Sequence, residues 1–298
     1  MAVEHIPVLA DTLAEQVTLP PDAVMVDATV GHGGHSYLFG RSFSSDATIV
    51  GLDVDPNSIE QARAKLAPLP CRVILVHANF STLTDQLAKL SIPQIDFLLA
   101  DLGVSSAQLT DPETGLSFQA NMPLDMRLDK SLNTTAADIV NRFDEQSLAD
   151  IIYKFGQDRA SRRIARFIVD FRRTQPITTT SQLAAIVCKA LGQPPTHRRS
   201  RIHPATRTFQ ALRIAVNDEL ENLERLLESA PAVLKTGGKI AVISFHSLED
   251  GLVKADFRKN KENGTYRIVT KKPITATKKE IDDNPRARSA KLRIAERL

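Results

Sequence analysis

The chain has 298 residues, of which 42% are hydrophobic, 24% charged and 5% aromatic, and its formal net charge is +3. This composition is typical of a globular protein, and it excludes a disordered chain, a collagen and a coiled-coil array. At about 150 residues per domain, the length allows one large domain, or a medium domain with a second one inserted or appended.

Over the first hundred residues, short apolar runs of strand length alternate with amphipathic segments typical of helices. This alternation predicts strand–helix–strand units around a mostly parallel sheet, and therefore an α/β fold. A fifth apolar run follows the glycine pair at 237–238, after a helix-like segment marked by Leu220, Leu223 and Leu227. The predicted strands cover residues 23–28, 48–53, 72–77, 95–101 and 239–245.

More than 130 residues separate the fourth predicted strand from the fifth. Because a crossover connection needs only about a dozen residues plus its loops, we expect an insertion. Within it, apolar residues at 164, 167, 168 and 171 share one helical face, while arginines lie mainly on the other faces. The predicted organisation is the first part of the sheet domain at 1–109, an inserted helical domain at 110–202, and the second part, with a basic C-terminal segment, at 203–298.

Charge is distributed unevenly along the chain. Residues 1–153 contain 8 Lys and Arg against 20 Asp and Glu, whereas residues 154–213 contain 13 against 2, and residues 254–298 contain 14 against 6. Basic blocks of this size predict a polyanionic partner that contacts part of the molecule. Within the last block, residues 266–270 and 292–294 are predicted to be antiparallel edge strands joined by a basic, polar loop.

Other features of the sequence argue against membranes, disulfides and metals. The apolar runs are shorter than the roughly 20 residues that span a bilayer, and no signal-peptide pattern opens the chain, so we expect a cytoplasmic protein. Cys71 and Cys188 are far apart in sequence, which disfavours both a disulfide framework and a thiolate zinc site. The histidines show no metal-ligand spacing, and we expect no metal.

A glycine-rich turn, Gly31-His32-Gly33-Gly34-His35, follows the first predicted strand. In a doubly wound sheet this turn lies at the carboxyl ends of the strands, where ligands bind. Asp53 ends the second strand, 26 residues after Asp27, and a carboxylate there can accept hydrogen bonds from both hydroxyls of an adenosine ribose. Nicotinamide cofactors and S-adenosylmethionine both contain that ribose.

The pattern of charges distinguishes these two cofactors. A pyrophosphate favours a G-x-G-x-x-G turn, which is absent. An acidic neighbourhood instead suits a sulfonium and an ammonium group, and Asp27, Asp53, Asp55 and Asp101 all lie at predicted strand ends. Asn79 and Phe80 follow the third strand and are expected beside the adenine. Asp101 ends the fourth strand and is expected to face the transferred methyl group.

Seven segments together resemble the bacterial ribosomal RNA small-subunit methyltransferase H family, also called MraW. The segments are DATVGHGGHS (27–36), ADLGVSSAQL (100–109), PLDMRLD (123–129), FGQDRASRRIAR (155–166), HPATRTFQALRIAVNDEL (203–220), ISFHSLED (243–250) and NPRARSAKLRIAER (284–297). The resemblance covers nearly the whole chain. It implies a class I, Rossmann-like methyltransferase sheet interrupted by a helical domain. At His32 we would instead expect an arginine or a similar residue.

The resemblance also implies an activity and a set of site residues. The activity is S-adenosylmethionine-dependent methylation of the exocyclic N4 of a cytidine in the decoding region of 16S rRNA, within the small ribosomal subunit. The implied cofactor contacts are Gly33, Gly34, His35, Asp53, Phe80, Asp101 and Gln108.

For the chemistry itself, Asp101 is the first candidate to accept a proton from the amine, and His246 is a second. The segment after the fourth strand lacks the proline and aromatic residue that many amino-methyltransferases place there, so roles are not transferred from that wider group. Substrate contacts are predicted at Asp125, Arg127, Arg163, Arg207 and Ser247. Phosphate contacts are predicted at Arg159, Arg162, Arg163, Arg166, Arg198, Arg199, Arg201, Arg286, Arg288, Lys291 and Arg293.

Two other functions stay open at this point. One is a non-catalytic RNA-binding factor for ribosome assembly, and the other is a nicotinamide-dependent dehydrogenase on the same kind of sheet. The sequence does not decide between a monomer and a homodimer.

Overall fold

The computed structural model describes residues 7–105, 108–109, 111–118, 120–194 and 203–298. Contacts divide the chain into two compact units: the first comprises the residues up to Gly103 together with Leu220–Leu298, and the second comprises Val104–Glu219. The second unit extends beyond the expected insertion 110–202 at both ends. One reason is that the helix Thr206–Asn217 packs against the helix Glu145–Gly156 of the same unit.

Strands form where apolar and β-branched residues are concentrated. Among the described residues, one sheet has the order β3-β2-β1-β4-β5-β8-β6, with β7 also paired to β8. Strands β1 to β5 pair in parallel, and β8 is antiparallel to its neighbours. The predicted α/β class with a mostly parallel sheet is thus confirmed. The strands are β1 (Val24–Asp27), β2 (Thr48–Asp53), β3 (Arg72–His77), β4 (Ile95–Asp101), β5 (Leu234–Ser244), β6 (Tyr266–Ile268), β7 (Ile274–Thr275) and β8 (Lys291–Arg297).

Helices account for most of the remaining described residues. In chain order they are α1 (Ala10–Gln16), α2 (Gly34–Gly40), α3 (Pro56–Leu66), α4 (Leu83–Lys89), α5 (Ala136–Arg142), α6 (Glu145–Gly156), α7 (Ser161–Arg172), α8 (Thr180–Leu191), α9 (Thr206–Asn217), α10 (Glu219–Val233), α11 (Ser247–Glu262) and α12 (Lys278–Asp283), with short 3₁₀ turns at Phe80–Thr82 and Pro285–Ser289. None of the helices in these described ranges is long and apolar enough to cross a membrane.

Strand β5 begins earlier than the predicted residue 239. Leu234 already pairs with Ile95, and the register then shifts before Lys239 pairs with Phe97. Gly237 makes this irregularity feasible because its φ of 82° lies in the left-handed region that favours glycine. The glycine pair therefore lies inside the strand and does not precede it.

The expectation that residues 292–294 form an edge strand is wrong. Strand β8 pairs with β5 on one side and with β6 and β7 on the other, so it lies inside the sheet. Its side chains Leu292 and Ile294 are completely buried. The expected loop before it contains the short strand β7 and the helix α12.

The sheet is covered by helices on both faces, because alternate residues of its central strands point in opposite directions. On one face, Val26 and Leu98 belong to a buried cluster that includes leucines of α10 and Phe257 of α11. On the other face, Met25 and Phe97 belong to a cluster that includes residues of α1 and α2. The strand ends are thereby held in fixed positions.

The second unit has its own core, built from α5 to α9. In α7, Ile164 and Ile168 are buried while Arg162, Arg163 and Arg166 are exposed. This confirms the predicted helix with an apolar inner face and a cationic outer face.

Helix packing in the second unit gives a stability prediction. A Cβ atom at Gly156 of α6 would lie 2.6 Å from the backbone oxygen of Arg207 in α9. We therefore expect Gly156→Ala to lower the free energy of unfolding by about 1–3 kcal/mol, measured by urea denaturation. Gly251→Ala in α11 is the matched control: its Cβ would meet nothing within 4 Å, so it should stabilise by about 0.5–1 kcal/mol. Equal midpoints for the two variants would contradict the close packing of α6 on α9.

Candidate active site

Asp27, the last residue of β1, holds the glycine-rich turn in place through hydrogen bonds to residues on either side of it. This carboxylate is buried and accepts hydrogen bonds from the Ser36 hydroxyl at 2.7 Å and from the Thr29 amide at 3.3 Å. Burial raises the pKa of Asp27, against the lowering effects of His35 and of these hydrogen bonds. Asp27 therefore braces the turn, and Thr29 and Ser36 are partners that the sequence analysis did not identify.

Backbone geometry explains two of the glycines in the turn. Gly31 and Gly33 have φ values of 50° and 78°, in the left-handed region that other residues rarely adopt. Gly33 immediately precedes the first residue of α2. The turn thus brings the start of α2, and with it His35, to the carboxyl ends of the strands.

Asp53, at the end of β2, holds two segments together. One carboxylate oxygen accepts a hydrogen bond from the Gly31 amide and the other from the Asp55 amide, both at 2.9 Å. Burial raises the pKa of Asp53 to about 6, although these two hydrogen bonds oppose the shift. A carboxylate has about four acceptor positions, so Asp53 can accept two further hydrogen bonds from a ligand.

Asp101, at the end of β4, lies beside His35. Its backbone amide donates to the Thr29 hydroxyl at 2.7 Å, and its Oδ2 is 3.5 Å from Nε2 of His35. Three buried side-chain atoms here, Oδ1 of Asp101 and both ring nitrogens of His35, have no hydrogen-bond partner among the residues that the structure describes. Polar atoms buried in this way point to a ligand that supplies their partners.

Two further side chains that can carry a proton, Arg286 and His32, lie near these strand ends. The Arg286 guanidinium, from the turn Pro285–Ser289, interacts electrostatically with Asp101 and with His32. Burial lowers the pKa of His32; Asp55 opposes this effect, and Lys65 and Arg286 add to it. Arg286 was expected only as a phosphate contact, and its position adds a cation to the acidic site.

Strand β3 leads to the predicted adenine contacts. The Asn79 side chain accepts a hydrogen bond from the Ser81 amide at 2.9 Å and thereby caps the turn Phe80–Thr82. Phe80 is half-buried and packs against the core of the first unit. Its ring therefore rests on the sheet core while part of it stays accessible, as an adenine contact requires.

Comparison with known proteins decides the family. The model of the MraW methylase family matches residues 2–298. A protein of Acaryochloris marina named ribosomal RNA small subunit methyltransferase H is 49% identical over 297 residues, covering 100% of this chain and 95% of that one. A protein of the same name from Sorangium cellulosum is 46% identical over 295 residues, covering 99% of this chain and 91% of the other.

The chain belongs to the MraW methylase family. It is a methyltransferase that takes its methyl group from S-adenosylmethionine. The residues present fit that donor: Asp53 has acceptor positions left, and the carboxylates of Asp27, Asp53 and Asp101 at the strand ends suit a cation. The family assignment decides against the dehydrogenase alternative.

Gln108 belongs to the second unit of the methylase. Its side-chain oxygen accepts a hydrogen bond from the Ser105 amide at 2.8 Å, and its own amide donates to the Ser105 hydroxyl at 3.1 Å. This reciprocal pair orders the backbone shortly after β4. The predicted contact of Gln108 with the cofactor stays a prediction.

At the end of β5, His246 caps α11. Its Nδ1 accepts a hydrogen bond from the Glu249 amide at 3.4 Å, and its Nε2 lies 3.2 Å from the Glu249 carboxylate. The same carboxylate accepts hydrogen bonds from the amides of Phe245 and His246. This capping role accounts for a histidine at position 246 even if the residue takes no part in catalysis. Ser247 is the first residue of the capped helix.

The other predicted substrate residues lie in the second unit. Arg127 forms two hydrogen bonds with the Asp125 carboxylate, at 2.8 and 3.0 Å. Burial disfavours the ionised form of Asp125, but the hydrogen bonds from Arg127 and Lys130 outweigh it and hold its pKa below the usual range. Arg163 is exposed on α7, and Arg207 is exposed while donating to the Gln157 carbonyl at 3.4 Å.

Two of the predicted phosphate contacts are corrected by the structure. Arg293 is buried and donates to the Asp250 carboxylate at 2.7 Å, and Lys291 donates to the same carboxylate at 3.1 Å. Because these cations neutralise a carboxylate inside the first unit, their charge serves the fold. Arg159, Arg162, Arg166 and Arg288 are exposed, whereas Arg198, Arg199 and Arg201 lie outside the described residues.

Proposed function

We propose that this methylase transfers a methyl group to the exocyclic N4 of a cytidine in the decoding region of 16S rRNA, acting on the small ribosomal subunit in the cytoplasm. The observation that carries the chemistry is Oδ1 of Asp101 at the end of β4, which is buried and has no hydrogen-bond partner within the described part of the chain. The choice of N4 and of the decoding region rests on the family resemblance of the seven motifs. The relatives' printed names support a small-subunit rRNA substrate.

The donor would be held by residues at the strand ends. Asp53 accepts hydrogen bonds from the ribose hydroxyls, Phe80 contacts the adenine, and the backbone from Gly33 to His35 borders the remainder, with Gln108 as a further contact. When bound, S-adenosylmethionine supplies an electrophilic methyl group, which the amine takes with loss of one proton and release of a neutral thioether. No metal ion is needed for this exchange.

In this proposal, Asp101 acts as the proton acceptor for the N4 amine of the cytidine. The N4 lone pair of cytosine is delocalised into the ring, so the nitrogen is a poor nucleophile. A carboxylate that accepts a hydrogen bond from the amine raises the electron density on nitrogen and then receives the proton that the nitrogen loses. Holding the amine in place beside the donor lowers the activation barrier of this bimolecular reaction by several kcal/mol.

The second unit would supply contacts to the RNA backbone. The exposed arginines of α7 present positive charge, and phosphate contacts of this kind position RNA without reading its sequence. Specificity then depends on RNA shape and on unstacking of the target base, which costs a few kcal/mol. An assembled subunit that presents the base already exposed is therefore a better substrate than naked 16S rRNA.

Mapping of transferred label tests this function. Small subunits that lack the modification are incubated with the enzyme and labelled S-adenosylmethionine, and the RNA is digested and analysed by mass spectrometry. We expect label on N4 of one cytidine, and much less label when free 16S rRNA replaces the subunit.

Label on a base carbon, or on no cytidine, would refute the substrate assignment. Binding to subunits without any transfer would instead favour the non-catalytic assembly factor.

A further inference from the structure

The His35 side chain has an unusual environment for a histidine. It lies at the second position of α2, and its side chain is only 7% exposed. Among the described residues, neither of its ring nitrogens has a hydrogen-bond partner, although both are buried. Burying polar atoms without partners costs free energy, so a histidine selected only for packing would be replaced by an apolar residue.

The residues around His35 favour Asp101 as its hydrogen-bond partner. Nε2 is 3.5 Å from Oδ2 of Asp101, and an approach of about 0.5 Å would bring the two atoms to a normal hydrogen-bond distance. On another side lies Asp27, which attracts the imidazole electrostatically but already accepts hydrogen bonds from Ser36 and Thr29. Asp101 is the better partner, because its carboxylate lies within salt-bridge distance of Nε2.

Hydrogen bonds from side chains hold both partners of this contact in place. The Asp101 amide is bonded to Thr29, and the helix that carries His35 is braced by the Ser36–Asp27 hydrogen bond. Only side-chain rotations are needed to close the contact. A further charged neighbour, Arg286, interacts with Asp101 from the turn Pro285–Ser289.

We propose that His35 is a positioning residue for Asp101. The Nε2–H group of the imidazole donates to Oδ2, which fixes the carboxylate plane and leaves Oδ1 for the substrate amine. This inference rests on the proposed function, in which Asp101 accepts the proton from the amine. A contact of the His35 backbone with the methyl donor is compatible with it.

Two amide variants of the full-length protein separate positioning from packing. The amide nitrogen of His35→Gln can replace Nε2, whereas that of His35→Asn is placed nearer to Nδ1. With saturating donor and subunits, we expect single-turnover transfer to slow about 3-fold in His35→Gln and about 100-fold in His35→Asn. The donor dissociation constant, measured by calorimetry, should stay within about 3-fold of wild type in both variants.

A second readout uses the unmutated protein and does not depend on activity. Nitrogen-15 NMR of histidine-labelled protein with bound S-adenosylmethionine should show a proton on Nε2 of His35. An Nε2 without a proton would overturn the inference. So would equal rates in the two variants, or donor affinity that falls in parallel with the rate.

An Asp101→Asn variant run in parallel separates this inference from the proposed function. If Asp101→Asn is slow and the His35 variants are equally fast, the positioning role fails and the role of Asp101 stands. If Asp101→Asn is as fast as wild type, the proposed role of Asp101 fails, and the positioning role fails with it.

Discussion

Asp101→Asn is expected to lower the rate of methyl transfer about 10²- to 10³-fold, as loss of a positioned proton acceptor does. The amide cannot take the proton that N4 loses, and its NH₂ group would face the amine with a donor where an acceptor is needed. Affinity for S-adenosylmethionine should fall much less than the rate does, because the amide still fills the place of the carboxylate beside the donor, whereas the proton acceptor for the amine is lost completely. Single-turnover kinetics and calorimetry measure the two quantities separately.

The matched control for this prediction lies near the other end of the same strand. Asp96 accepts hydrogen bonds from the Val24 amide and from Lys235, and it belongs to no part of the proposed site. Asp96→Asn should transfer methyl groups at the wild-type rate. A full rate in Asp101→Asn would remove Asp101 from the chemical step.

Asp53→Ala is expected to weaken donor binding about 10²- to 10⁴-fold, since two hydrogen bonds to a charged group contribute roughly 1.5–3 kcal/mol each. The variant loses the acceptors for the ribose and also releases the amides of Gly31 and Asp55. Calorimetric titration measures the loss. Binding at wild-type strength would show that Asp53 does not hold the ribose.

The same carboxylate predicts a pH dependence of donor binding. Burial raises the pKa of Asp53 to about 6, so the group is ionised above that pH and protonated below it. The ionised form accepts hydrogen bonds, and affinity should therefore fall as the pH is lowered from 7 to 5. In Asp53→Asn, the part of the pH dependence that is due to residue 53 should be absent. The difference between the wild-type and variant curves of affinity against pH therefore reports Asp53 alone, apart from the neighbouring Asp27, Asp55 and His32.

Sequence patterns predicted the central strands well because the signal there is local. Strands β2, β3 and β4 coincide with the predicted 48–53, 72–77 and 95–101, since each is an apolar run that ends at an acid or a histidine. The start of β5 was mispredicted because a pair of glycines ordinarily lies outside a strand. Here Gly237 and Gly238 lie inside β5, where its register with β4 shifts. The interior position of β8 depends on neighbours far away in sequence.

The site was predictable to the extent that strand ends converge in a parallel sheet. Asp53 and Asp101 were identified in this way, whereas His35 was named only from the family resemblance; the structure places Asp101 beside His35. The internal role of Asp27 was not predicted, because it depends on the Ser36 hydroxyl, nine residues further along the chain in α2. Likewise, Arg293 looks like a surface cation in sequence, and its pairing with Asp250, 43 residues distant, becomes visible only in the fold.

The interior position of β8 has a practical consequence for experiments on RNA affinity. Removing residues 291–298, in order to trim an apparently basic tail, would withdraw the backbone partners of β5, β6 and β7 at once and leave Asp250 without its cations. A truncated protein that fails to bind subunits would then report a collapsed sheet, whatever the RNA contacts are. Charge reversal on the outer face of α7 changes the electrostatics while leaving the strand pairing intact.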